Sequence, residues 1–265
     1  MNADLGLALE LADAADRITL DRYQAANLHV EQKADLTPVS DADRAVEDEL
    51  RARLARDLPA DEVLGEEAGG GGEGRRTWIL DPIDGTRQYV RGIPIYATLI
   101  ALEEDGVVQV GVVSAPALRR RWWAARGHGA FANGIPVRVS DVESLEGSFF
   151  AYTSARSFAR LGLAEPFAAL TRRAWADRGF GDFWQHMLVA EGRVEVAVEA
   201  EVNIWDVAAV QVIVEEAGGR VTDLRGRRTI RGGNVMTGNG RVHDEVLAEL
   251  APAVESADAR AEVAD

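Results

Sequence analysis

The chain has 265 residues and 47% hydrophobic content, enough for a substantial core in one large α/β unit or two ordinary domains. Its 44 acidic against 29 basic residues give a net charge of −15, which repels nucleic-acid phosphates and anionic lipid headgroups, so neither nucleic acid nor membrane is expected as a partner. With no cysteine there can be no disulfide, thiolate metal site or cysteine nucleophile. The first residues carry acids where a signal peptide needs a basic region, and no stretch reaches the ~18 apolar residues of a membrane span, so a cytoplasmic location is expected.

Leu5, Leu9, Ala12, Ile18 and Leu20 recur near helical spacing, predicting an amphipathic helix from Leu5 to about Ala26. A second helix is predicted from Asp41 to Leu54, capped by Ser40 or Asp41, with acids in its first turn. The glycines from Gly69 to Gly74 predict a mobile loop. The β-branched and apolar runs 77–81, 96–102 and 107–116 predict successive strands, and Asn133-Gly134 a tight hairpin turn. Beyond Ser148 strands and helices alternate: a strand in SFFAYT, helices near 165–175 and 183–191, a strand in VEVAVE, and a helix from Asp206 to about Glu216. The last helix is expected to end near Leu250. The expected divisions are thus an N-terminal half, 1–143, a C-terminal half, 144–251, and a frayed tail, 252–265.

The segment Trp78 to Thr86 runs an apolar strand straight into two acids, a proline and a glycine. Pro82 should end the ladder, letting the Asp81 and Asp84 carboxylates converge on one cation, with the Ile83 carbonyl available beside them. Gly85 and Thr86 would then offer N–H groups to a phosphate at a helix N-terminus. The competing reading is a surface turn. Two other acidic features matter: Glu66-Glu67 after an apolar pair, and Asp206 at the start of a very apolar helix, where a plain N-cap is the alternative.

The three segments together, Gly65-Glu66-Glu67, WILDPIDGTRQY and WDVAAVQVIVEEAGG, resemble the inositol monophosphatase superfamily, whose signatures are GEE, WIxDPIDGTxxF and WDxAAxxxIxxEAGG. The likeness runs from about Leu5 to Leu250. Within the superfamily it is strongest to the actinobacterial type of histidinol-phosphatase, through KADLTPVSDADRAVE, GVVSAPALRRRWWAARGHGAF and GDFWQHMLVAEG among other segments. The resemblance implies an α+β fold, an αβαβα layered sandwich in two halves meeting at the metal site, and a homodimer. It also implies two or three Mg²⁺ ions held by Glu66, Asp81, Asp84, Asp206 and the Ile83 carbonyl. Glu66, with Thr86 and Asp41, would activate the attacking water, Gly85 and Thr86 would hold the phosphate, and Glu67 would support from behind. Hard oxygen ligands suit Mg²⁺, and neutralising a phosphate dianion is what such ions do. Arg87-Gln88-Tyr89 departs from the usual Lys/Thr-Asn-Phe, which leaves open the packing of the turn behind the phosphate.

Specificity must come from residues around the leaving group. Asp182 and Glu199 match positions that face the inositol ring in the relatives, and an acid at 182 favours a cationic leaving group such as histidinol. Helix capping and a strand end are their competing roles. Phe183, Trp184 and Tyr152 could stack on an imidazole, although core packing is the commoner role. His29, His128, His186 and His243 show no ligand spacing, and Arg119 to Arg121 read as a solvated strand edge or subunit contact. The expected reaction is hydrolysis of L-histidinol phosphate, a small phosphate ester, to L-histidinol and phosphate in histidine biosynthesis. The alternatives are an inositol-1-phosphate or broad sugar-phosphate phosphatase and, from another class, a non-catalytic metal- or phosphate-sensing module.

Overall fold

The computed structural model describes residues 2–33, 37–71 and 74–262. Two compact units emerge: Met1–Pro136 with Ala208–Ile213, and Val137–Val207 with Val214–Asp265.

The first unit opens with helix α1 (Ala3–Arg22), followed by strands β1 (Val30–Gln32) and β2 (Pro38–Ser40) and helix α2 (Asp41–Asp57). Then come β3 (Glu62–Gly65), β4 (Gly69–Gly70), β5 (Arg76–Asp84), the short helix α3 (Thr86–Tyr89), β6 (Ala97–Glu104), β7 (Val107–Ala115), β8 (Arg120–Ala125), β9 (Ala130–Ala132) and β10 (Ile135–Val137). Eight strands form one sheet in the order β10-β9-β8-β7-β6-β5-β3-β4. Leu5, Leu11, Ala12 and Ala15 of α1 and Val46, Leu50 and Leu54 of α2 pack with Trp78, Leu80, Ile100, Leu102, Val110 and Val112 of the sheet. On β7, a Cβ at Gly111 would lie 2.6 Å from Val212 and 2.7 Å from the Ala209 carbonyl. The stretch Ala208–Ile213 therefore sits directly on this sheet. Covered strands need apolar residues facing both ways, which explains why β6 and β7 read as nearly continuous apolar runs.

α1 ends at Arg22, short of Ala26, with Tyr23 extended. Asn133 and Gly134 both have positive φ, 48° and 82°, the expected tight turn between β9 and β10. Gly69 and Gly70 pair with β3 rather than forming an open loop, whereas 72–73 lie outside the described residues. Arg121 does not lie at a sheet edge. β8 lies inside the sheet, and Arg121 binds Asp13 at 2.8 Å and Asp16 at 2.6 Å, joining α1 to it.

In the second unit β11 (Phe149–Tyr152), helices α4 (Ala155–Arg160) and α5 (Ala164–Arg173), β12 (Ala176–Arg178), α6 (Asp182–Ala190) and β13 (Val196–Glu199) precede α7 (Ile204–Glu216), β14 (Arg220–Thr222), β15 (Val235–Gly238) and α8 (Arg241–Glu262). The mixed sheet runs β12-β11-β13-β15-β14, with β11 parallel to β12 and β13 and the remaining pairs antiparallel. Phe150, Val196, Val198 and Met236 share a core with Phe158, Leu170, Val242, Val246 and Leu250. Phe183 is buried, and Tyr152 packs edge-on against Phe167 with ring centroids 4.9 Å apart. α8 continues through Pro252 to Glu262, beyond the expected end at Leu250. Alanine-rich sequence sustains a helix, and proline removes one hydrogen bond from it. The end of the expected tail, 263–265, lies outside the described residues.

Candidate active site

β5 carries the buried run Trp78, Ile79 and Leu80 into Asp81, which is 1% exposed. Pro82 does not end the ladder. Asp81 pairs with Leu99 and Asp84 with Ala97, so three steps on β5 face two on β6: a one-residue bulge. A bulge tolerates proline because its missing N–H has no ladder partner there, and the Pro82 carbonyl is taken by Thr98 Oγ1 at 2.7 Å. Gly85 follows at φ 86°, and a Cβ there would sit 2.9 Å from the Ile95 carbonyl, so only glycine fits. Gln88 and Tyr89 N–H groups close the turn onto the Gly85 carbonyl. Behind it Tyr89 is buried, gives its hydroxyl proton to the Thr19 carbonyl at 2.8 Å, and meets Tyr96 edge-on, so the Arg87-Gln88-Tyr89 variant still packs the turn.

Thr86 Oγ1 lies 2.9 Å from the Ile83 carbonyl and 3.1 Å from Asp43 Oδ1, both acceptors for its proton. The expected partner, Asp41, is not there. Asp41 instead meets Arg22 at 2.5 Å and is 38% exposed. Two residues along a helix turn the side chain by roughly 200°, so of the two acids that open α2 only one can face inward. Asp43 is that one: Oδ2 accepts Ser40 N–H at 2.8 Å and Ser40 Oγ at 2.6 Å, as half of a capping box. The spacing Ser40-x-x-Asp43 was the signal that could have found it. Burial raises the Asp43 pKa, the bonds from Ser40 and Thr86 oppose this, and the nearby Glu66 charge adds to it.

The segment after β3 is set by Glu47 of α2, which is 1% exposed. Its Oε2 accepts Glu67 N–H at 2.8 Å, and its Oε1 accepts Ala68 N–H at 3.0 Å and Arg51 Nε at 2.7 Å. A Cβ at Gly65 would fall 2.2 Å from the Glu47 carboxylate, so Gly65 is what allows the approach. Lys33 Nζ donates to Glu66 Oε1 at 2.8 Å and Glu67 Oε1 at 2.7 Å. Burial works against the Lys33 charge, but the two carboxylates more than offset it and its pKa lies above the ordinary range. Burial also raises the Glu67 pKa, against the bond from Lys33.

Asp206 stands in the first turn of α7, two residues before the stretch that belongs to the first unit, and accepts Asn203 N–H at 2.7 Å. Asp81, Asp84 and Asp206 each offer a carboxylate oxygen within 4.8 Å of the others. Three like charges so close repel one another strongly, and a hard divalent cation removes that repulsion; the donor set fits one. Glu66 is not in this trio among the described residues and stays with Lys33.

In the second unit, Asp182 opens α6 with φ 52°, after Gly181 at φ 72°. Glu199 ends β13, 8% exposed, and its Oε1 accepts both Gln185 Nε2 at 2.9 Å and His186 Nε2 at 3.0 Å. Neither Gln185 nor His186 stood out in the sequence as a neighbour of Glu199. His29 and His128 are exposed, whereas His243 is fully buried, its pKa lowered to about 4 by burial and by Arg220.

Residues 3–256 match the model of the inositol monophosphatase family. A histidinol-phosphatase of Mycobacterium tuberculosis is 53% identical over 93% of this chain and 97% of its own length, and one of Streptomyces coelicolor is 50% identical over 93% and 96%. A solved structure of the Thermotoga maritima IMPase superposes with a TM-score of 0.85 at 32% identity, covering 96% of this chain and 99% of that one. The α+β fold expected from the motifs is the one these relatives have.

Proposed function

The chain belongs to the inositol monophosphatase family and is a phosphatase, and we propose that its substrate is L-histidinol phosphate, hydrolysed to L-histidinol and phosphate. What supports this reading is Glu199, an acid that the resemblance sets beside the leaving group, in a chain half identical to histidinol-phosphatases over nearly its whole length. Carboxylates at Glu199 and Asp182 favour a leaving group that brings N–H donors and positive charge over a neutral polyol.

Asp81, Asp84 and Asp206 would hold Mg²⁺, with Glu66 and the Ile83 carbonyl completing the set. Bound there, two or three ions would offset the charge of the phosphate, lower the pKa of water and stabilise the departing alkoxide. The chain's own residues do the rest. Thr86 and Asp43 orient the attacking water and take its proton, a task suited to an aspartate whose pKa burial raises. The N–H groups of Gly85 and Thr86 hold phosphate oxygens, and Gly85 keeps that backbone open. Glu47 and Glu67 steady the segment that presents Glu66. Water attacks directly, and no covalent phosphoenzyme forms.

On the same reading the enzyme serves histidine biosynthesis, works in the cytoplasm and is a homodimer, a state its mass in solution would reveal. Among the described residues no helix is long and apolar enough to cross a membrane. Protein stripped of metal with EDTA should release no phosphate from histidinol phosphate, and Mg²⁺ should restore the release. Undiminished activity without metal would refute the proposed centre.

A further inference from the structure

Around Glu199 the second unit builds a buried polar network that capping and strand packing do not require. His186 is 2% exposed and Gln185 and Thr237 are fully buried. His186 Nε2 lies 3.0 Å from Glu199 Oε1 and its Nδ1 lies 2.8 Å from Thr237 Oγ1. A carboxylate only accepts, so the proton must be on Nε2. Thr237 Oγ1, at hydrogen-bond distance from Nδ1, fixes the ring from its other side. Gln185 Nε2 gives its two protons to Glu199 Oε1 and Thr153 Oγ1, each at 2.9 Å. Turning the amide over would set its oxygen against the Glu199 carboxylate. As it stands, Gln185 Oε1 is buried with no hydrogen-bond partner among the described residues.

A core built for stability alone would not keep that orphaned acceptor, since apolar residues would fill the space without it. What the arrangement achieves is directional. Both donors converge on Oε1, while Oε2 takes no hydrogen bond among the described residues, and the side chain keeps 10% of its surface open. We propose that His186, Gln185 and Thr237 are positioning residues that lock Glu199 with Oε2 turned to the leaving group, and so set the preference for phosphate esters of cationic amines and imidazoles. The inference rests on the reading of Glu199 given above. It concerns residues that do not themselves touch the substrate.

The test compares kcat and KM for histidinol phosphate and for glycerol 2-phosphate, whose leaving group is neutral, in the Mg²⁺-loaded enzyme. His186→Leu should lower kcat/KM for histidinol phosphate about tenfold more than for the neutral ester, the size expected for losing one bond to a charged group. The loss should lie mainly in KM, and His186→Gln, whose amide reaches the same oxygen, should recover most of it. Thr237→Val keeps the side-chain shape and should move the ratio the same way by about threefold, so it decides the matter if His186→Leu does not fold. Equal losses on both esters, or an unmoved ratio, would overturn the clamp. A wild-type enzyme with no preference for histidinol phosphate would instead remove the reading of Glu199 itself. A preference lost in Glu199→Gln but untouched in His186→Leu and Thr237→Val would remove the clamp alone.

Discussion

Around Glu66 and Glu67 the protein sets two carboxylates against one ammonium, Lys33, whereas around Glu199 it sets one carboxylate against two donors on the same oxygen. The first region has an excess of negative charge, compounded by Asp81, Asp84 and Asp206 within 4.8 Å of one another, and it calls for cations from outside. The second is balanced on one side and open on the other. On the proposed reading the two regions divide the labour: the first would supply chemistry common to any phosphate ester, and the second would choose among esters. Removing a ligand from the first should therefore harm all substrates alike, and changing the second should alter their ranking.

The largest effect should come from Asp84→Asn. It should lower kcat about a thousandfold for both histidinol phosphate and inositol 1-phosphate, because several kcal/mol of transition-state stabilisation go with the cation. An Asp84→Asn enzyme with near-normal turnover would break the comparison at its stronger end. Next, Asp43→Asn should cost about a hundredfold in kcat through the loss of the Thr86 partner, whereas Asp41→Asn, which loses only a half-exposed pair with Arg22, should stay within about threefold. Steady-state kinetics on the two variants separate these cleanly, and a reversed order would restore Asp41 to the water-activating role. Glu199→Gln should reduce kcat/KM for histidinol phosphate about tenfold relative to inositol 1-phosphate, the mark of the second region.

How much of this was legible in the sequence varied with how local the signal was. Asp81, Asp84 and Gly85 announced themselves because a buried strand running into Asp-Pro-Ile-Asp-Gly is dense with backbone constraints. The short strands β1, β4, β12 and β14 were not legible, since two or three residues cannot display an alternation. The Asp41 and Asp43 exchange turned on helix phase, which a capping-box spacing would have fixed. Lys33, Glu47 and Gln185 reach their partners across 33, 20 and 14 residues of chain, and no local pattern carries contacts of that kind. His186 was visible as a residue and invisible as a partner of Glu199 for the same reason.

A last effect, on stability and not on turnover, lies outside both regions and serves as a control for overall folding. His243 is fully buried with its pKa lowered to about 4, so the unfolded chain takes up a proton below 6.5 that the folded chain refuses until about pH 4. Its contribution to stability is complete above pH 6.5 and is lost as pH falls from 6.5 to 4, by about 3 kcal/mol at about 1.4 kcal/mol per pH unit. Urea unfolding of His243→Leu across that range should show a flatter decline than the wild type. Identical slopes would mean that His243 is charged in the fold.

The central claim, that a shared phosphatase centre is directed by Glu199 to a cationic ester, is tested most directly by one ratio. With Mg²⁺ saturating, kcat/KM for histidinol phosphate divided by that for inositol 1-phosphate should exceed about 100 in the wild-type enzyme, as two acidic contacts to a cationic leaving group would give. A ratio at or below one would contradict it.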